Sequence, residues 1–562
     1  MLLPAEDVPR WGDANMLVGF ARHGRERSAL QMSSQSKSTR TKKRKGRSAT
    51  SRIALPPLQN QYWGLAVCAI IGLAALLRVA SLPSKPLHHD EGINGMFMMN
   101  LFRNGVYRYD PANYHGPSLY YSALITTTAN SVFFGKAGLS TFAIRIVPAM
   151  FGIGTVWLIT TLRPYVGALA AAAASLLICV SPGHVFFSRY FIHEVPFVFL
   201  TLATVVSWLK FEETAYPKYL IYMAACAAVL FSTKETAVIS CSALVLAGVS
   251  SRRLCRKPVP HIVLRADLVP RANPIEAVGS LALIAAAALA FAFIEVVLYS
   301  SFFSNFPQGV IDSVRTYSYW LRAGVTEYAH PWYFYLFWLF KEEVPVLFLG
   351  LVGIVLAIVR RQHRIALFVS IWAIGICVAY SLISYKTPWL TLNLVLPLAI
   401  MAGYAVQWCY DFAIDRRALI LKITVFVIFL ASLGWSSYQS INLSFFRYDD
   451  ETIPYSYAHT SRDLLGLVDE INSIAVDNNL GKQMRIVVVS PEHWPLYWYL
   501  RDFPGIEFAD KIEPTTGEVL VALEKQVPEI EQKLGPSYRE RSRHELRPGN
   551  TLVLYIRRDL RG

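Results

Sequence analysis

Residues 62–91 read YWGLAVCAIIGLAALLRVASLPSKPLHHDE. The first part, 62–81, is apolar apart from Arg78, and its length matches the ~20 residues needed to span a bilayer. It is followed within a few residues by His88, His89, Asp90 and Glu91. Four ionisable groups at a membrane–water boundary are costly to hold unless they are paired or used. The stretch therefore predicts a membrane helix that delivers an acidic loop to one face.

Similar apolar runs recur at 118–135, 141–161, 165–183, 190–209, 218–233, 235–250, 277–299, 343–360, 365–384, 388–410 and 419–440. The 562 residues are 54% hydrophobic and 17% charged, against about a quarter charged in an ordinary soluble domain. This excludes a soluble enzyme, a disordered chain and a single-span receptor. The net charge of +15 sits in clusters beside the apolar runs. That is the positive-inside pattern, and it argues against nucleic-acid binding. Seven cysteines are scattered singly, with no disulfide framework and no CxxC metal site.

Residues 1–61 form a basic tail, with eight Lys/Arg and no acid between Lys37 and Arg52. The tail predicts a disordered, cytoplasmic N-terminus. Met32 opens a compact basic leader and is a candidate true start. Basic loops at 251–271, 360–364 and 411–417 are expected on the same side. These anchors agree if 118–135 lies at the interface, which leaves eleven crossings, within a range of about 11–13 membrane helices. The loops 82–117, 184–190, 233–236, 300–342 and 384–388 then face outward, as does everything after 441. Residues 441–562 hold short β-rich runs at 485–489, 518–523 and 551–556, with helical stretches near 461–476 and 526–534. They read as a small extracytoplasmic α/β domain. The fold class is thus an α-helical polytopic membrane protein, its transmembrane domain 62–440, carrying a soluble C-terminal domain.

The candidate chemistry collects on the outward loops. Asp90 can act as a general base on an acceptor hydroxyl, or hold a metal beside His89; alternatively it caps the helix that follows. Tyr107–Pro111 and Tyr114–Pro117 supply aromatic faces suited to sugars or to an interfacial belt, with His115 among them. Arg189 can clamp a phosphate, or pair with Glu194 at a helix end, and His193 and Glu194 can serve as ligands or acid–base groups. Lys234, Lys341 and Lys386 run against the positive-inside bias, which points to an anion such as a lipid-linked phosphate, although each can also snorkel. His330 opens an aromatic cluster, His330–Tyr333. There is no GxxxxGK[ST], no GxGxxG after a strand and no HExxH. The aromatic run His493–Tyr499 in the last domain reads as core or membrane-facing rather than catalytic.

At these motifs the sequence resembles the GT-C superfamily of membrane glycosyltransferases. The stretch from His88-His89-Asp90-Glu91 to His115-Gly116-Pro117 and Leu119-Tyr120-Tyr121, with Arg145 and Ser188-Arg189, is like the protein-mannosyltransferase group (glycosyltransferase family 39 and its RgtA/B/C/D-like relatives). More closely, through His89-Asp90-Glu91-Gly92, Tyr107–Pro111, His115-Gly116-Pro117, Lys234-Glu235-Thr236 and Tyr385–Trp389, the chain resembles the flippase-activity-associated membrane proteins of archaea and some bacteria. The superfamily resemblance implies a polyprenyl-phosphate-linked sugar donor and an active site on the non-cytoplasmic face. It implies an acidic base or metal-organising residue at Asp90, with Glu91 beside it. The second acidic position falls on Glu194.

Three readings follow. In the first, the chain is a glycosyltransferase of the cell membrane: Asp90 activates a glycan, lipid or protein acceptor. Lys386, Arg189 and Lys234 neutralise the leaving phosphate, and His115, His193 and Glu194 position substrates or a divalent metal. The metal candidates are His89, Asp90, His193 and Glu194. In the second, the same lipid site serves a non-enzymatic component of lipid-linked oligosaccharide export. The third, a secondary transporter, predicts an internal repeat and mid-span charges, and neither is seen.

Overall fold

The computed structural model describes residues 57–113, 115–256, 274–323, 329–513 and 516–561. The N-terminal basic tail up to residue 56 and its candidate start at Met32 lie outside the described residues, as does most of the loop 251–271.

Among the described residues, eight helices are long and apolar enough to cross a membrane. They are Tyr62–Val79, Thr141–Thr160, Glu194–Thr214, Ala237–Leu254, Leu281–Tyr299, Arg364–Leu382, Pro388–Asp415 and Leu419–Phe446. A further apolar pair, Phe334–Glu342 and Val344–Arg360, is bent by 115°, the geometry of a broken span or a re-entrant loop. The break is set locally: Glu343 leaves helical geometry and Pro345 starts the second helix, where its missing N–H costs nothing. Shorter apolar helices, Ala168–Val180 and Pro217–Phe231, occupy the places of two further expected spans. The chain is therefore a multi-pass membrane protein. Ser118–Phe134, read as interfacial, is a helix of 17 residues outside that set.

Close helix approach depends on small residues, as membrane packing requires. A Cβ on Gly353 would lie 2.0 Å from the Met401 carbonyl oxygen, and one on Gly403 would lie 2.2 Å from that of Ala170. The buried core around these contacts includes Trp372, Ile376 and Leu396.

Residues beyond Ile441 build a five-stranded sheet: β1 (Ile486–Val488), β2 (Ile506–Phe508), β3 (Val519–Leu523), β4 (Tyr538–Arg547) and β5 (Asn550–Arg557). The order is β2-β1-β3-β5-β4, with β1 parallel to β2 and β3, and β5 antiparallel to β3 and β4. Period-two alternation along β3 sends Val519 and Val521 to the Asp463–Asp477 helix. It sends Leu520 and Ala522 to the Val527–Leu534 helix on the other face. β2 and β4 were not expected. β4 carries Arg539, Glu540, Arg541, Arg543 and Glu545 because it is an edge strand, and charge there discourages pairing with another chain.

The last domain docks on the acidic helix, His89–Asn104. Gly92 and Gly95 have no room for a side chain: their Cβ atoms would sit 2.7 Å from Pro495 and 2.8 Å from the Trp498 ring. Tyr499 Oη accepts from the Leu87 N–H at 2.8 Å, and Arg547 meets His89 Nδ1, at the start of that helix, at 3.2 Å. The aromatic run His493–Tyr499 is thus largely an internal docking surface, and it fixes the helix that presents Asp90.

Candidate functional site

The acidic helix starts with a capping box built on His88. The His88 imidazole accepts from the Asp90 N–H at 3.1 Å, and Glu91 accepts from the His88 N–H at 2.9 Å. Capping is therefore done by His88 and Glu91, not by the Asp90 side chain. The two neighbouring acids then diverge. Glu91 is fully buried and bound through both oxygens to Arg145, at 2.7 Å each, and it also accepts from the Phe191 N–H at 2.8 Å. Burial opposes its charge, but Arg145 outweighs burial and holds the carboxyl below the ordinary range. The Asp90 carboxylate has no hydrogen bond or ion pair among the described residues.

Asp90 lines a cavity of about 180 Å³ with Ile93, Asn94, His115, Ile192, His193, Glu194, Tyr385 and Trp389. Four of the expected site residues, Asp90, His115, His193 and Glu194, thus share one space. Glu194 forms a buried ion pair with Lys234, forty residues away in sequence, rather than with Arg189. Burial disfavours the Lys234 ammonium, yet Glu194 and Glu235 raise its pKa above the ordinary lysine value. His115 binds Glu235 through Nδ1 at 3.2 Å, and its side chain stays one-third exposed. The His193 ring stands 4.9 Å from that of His115, and its Nε2 meets the Gly116 carbonyl at 3.2 Å. His193 Nδ1 has no hydrogen-bond partner among the described residues. Burial, with His115 and Lys234 adding to it, holds His193 neutral.

His115 and Lys234 pair as an antiparallel β-bridge, flanked by Gly116 N–H to Thr233 O at 3.1 Å and Ser118 N–H to Ser232 O at 3.1 Å. A Cβ on Gly116 would fall 2.0 Å from the Ser232 oxygen. Gly116→Ala is expected to open this bridge at a cost of about 1–3 kcal/mol and draw His115 from the cavity. Thermal inactivation of the detergent-purified protein would show it as a lowered midpoint; an unchanged midpoint means the bridge does not depend on that contact.

Other expected site residues are placed elsewhere. Arg189 donates to the carbonyls of Leu77, Arg78, Ala80 and Ser81. It closes the C-terminal end of the first span, where those carbonyls lack helical partners. Lys386 does the same for the Arg364–Leu382 helix, donating to Tyr380, Ser381 and Ile383. His330 stacks on Phe334 at 4.2 Å and does not line the cavity. His89 faces Arg547 at 3.2 Å, and burial takes its imidazole down to about 4. Lys341 lies over Phe337. Among the described residues, no three His, Cys, Asp or Glu side chains gather in a way that could hold a metal. His89 turns to the last domain and Glu194 to Lys234, so the four metal candidates do not converge.

Sequence reasoning passed over two residues. Glu235 stands in the sequence only as the neighbour of Lys234, yet it holds His115. Lys85 is buried, with Nζ 3.4 Å from the Tyr190 ring centroid and no hydrogen-bond partner among the described residues. No motif pointed to it.

The family described as dolichyl-phosphate-mannose-protein mannosyltransferase matches residues 121–272. No curated protein matches the sequence significantly. Among solved structures, ArnT from Cupriavidus metallidurans bound to undecaprenyl phosphate is similar with a TM-score of 0.62 at 15% identity, covering 88% of this chain and 99% of that one. The Archaeoglobus fulgidus oligosaccharyltransferase, tethered with an acceptor peptide containing the NVT sequon, gives 0.52 at 14% identity, covering 80% and 64%. The chain therefore has the GT-C fold that its motifs resemble.

Proposed function

We propose that the chain is a glycosyltransferase that moves a sugar from a polyprenyl-phosphate donor to an acceptor at the outer membrane face. One observation carries this: Asp90, a carboxylate unpaired among the described residues, faces a polar cavity at the end of an otherwise apolar bundle. The fold it shares with ArnT, whose structure holds undecaprenyl phosphate, supports the donor class. The matched mannosyltransferase family supports the reaction class.

In this reading Asp90 takes the proton from an acceptor hydroxyl. The acceptor oxygen bonds to the anomeric carbon as the bond from that carbon to the phosphate oxygen breaks. The phosphate leaves with the electron pair, and displacement from the opposite face inverts the sugar. Glu235 fixes His115 through Nδ1, which leaves Nε2 for the cavity. His115 and the Lys234 ammonium would stabilise the developing phosphate charge, a role that Arg189 and Lys386 are too committed to backbone carbonyls to share. Glu194 holds Lys234 in place. A divalent metal would find Asp90 and His193 here, with His115 and Glu194 on the same wall already paired to Glu235 and Lys234.

The test is incubation of the detergent-purified chain with radiolabelled polyprenyl-phosphate sugars and candidate acceptors, with and without divalent metal. Sugar release or transfer is expected from at least one donor. Tight lipid binding with no turnover for any donor would overturn this reading in favour of an export component.

A further inference from the structure

The helices Glu194–Thr214, Pro217–Phe231, Ala237–Leu254 and Pro274–Tyr299 enclose a second space, of about 690 Å³. Its walls are apolar, with Trp208, Met223, Val245, Gly248 and Phe291 among them, and among the described residues one cation lines it, Arg252. Arg252 lies fifteen residues beyond Ala237 on one helix, about 22 Å along its axis. A head group held by Arg252 therefore cannot reach Asp90, so this groove is separate from the candidate catalytic cavity.

Charge at that end is in surplus. Arg252 and Arg364 share the single carboxylate of Glu212, and the Arg252 side chain stays 57% exposed. Arg253 and Arg256 follow on the same chain segment, and Lys218 stands two residues before Leu220, another wall residue; all three are exposed. A basic rim over an apolar slot between membrane helices matches an anionic lipid, with chains in the slot and phosphate on the arginines. We infer that this groove is a binding site for an anionic phospholipid, held by Arg252 at the basic end of the bundle.

Native mass spectrometry of the purified full chain, titrated with phosphatidylglycerol or phosphatidylcholine, tests it. Wild type should retain phosphatidylglycerol in preference, and Arg252→Gln should reduce that preference about fivefold, the effect of one basic residue near a lipid phosphate. A Cβ on Gly248 meets nothing within 4 Å, so Gly248→Trp should fill the slot and weaken retention of both lipids. Equal retention of the two lipids by wild type, or an unchanged preference in Arg252→Gln, overturns the inference. So does displacement of phosphatidylglycerol by undecaprenyl phosphate that Gly248→Trp abolishes, since the groove then belongs to a polyprenyl tail.

Discussion

Asp90→Asn is expected to lower sugar transfer by about 10²–10⁴-fold, the usual contribution of a positioned general base. Protein yield, gel-filtration profile and thermal midpoint should stay as in wild type. The argument rests on what the carboxylate does not do. It caps no helix, because His88 holds that place, and it pairs with no cation among the described residues. Asparagine has nearly the same shape, so the cavity keeps its form and loses only the group that can accept a proton. Single-turnover assays with a saturating donor separate the chemical step from binding. A variant with wild-type turnover would remove Asp90 as the base and move that role to another acid, with Glu194 the remaining carboxylate on the cavity wall.

The contrast between Asp90 and Glu91 shows what the sequence could and could not disclose. That a membrane face carried acids, histidines and lysines was legible, because such residues beside apolar runs are costly and therefore stand out. Helix positions were legible for the same reason: apolar runs of the right length leave few alternatives. Which acid faces a cavity was not legible, since the two are adjacent and their side chains simply leave the helix in different directions. The cations were harder still. Arg189 and Lys386 looked like anion sites, but a cation near a helix end can equally meet the helix's own free carbonyls. Only the fold shows that Lys386 meets Tyr380, Ser381 and Ile383. The Glu194–Lys234 pair joins two helices that no local pattern links. In the last domain, β4 was hidden because an edge strand with exposed charges lacks the apolar alternation by which strands are read.

Glu91→Ala should act on folding as strongly as Asp90→Asn acts on turnover. Four donors converge on this carboxylate: two from Arg145, with the N–H groups of Phe191 and His88. Arg145 is itself fully buried and donates further to the carbonyls of Leu82, Lys85 and Pro86. It thereby ties the Thr141–Thr160 helix to the turn that leads into the acidic helix. Removing the carboxylate leaves a buried guanidinium without its counter-charge, a loss of about 3–5 kcal/mol for a broken buried pair. Thermal inactivation should fall well below wild type, or the protein should fail to elute as a monodisperse peak. Glu91→Gln, which keeps two acceptor lone pairs but no charge, should fall between. The acid sensitivity has a defined sign. The folded Glu91 value lies below the usual ~4.3, so the stabilisation is complete above that pH and is lost as pH falls through the lowered folded value. If Glu91→Ala matched wild type in stability while losing transfer, the carboxylate would belong to the chemistry after all, and the division of labour between the two acids would be reversed.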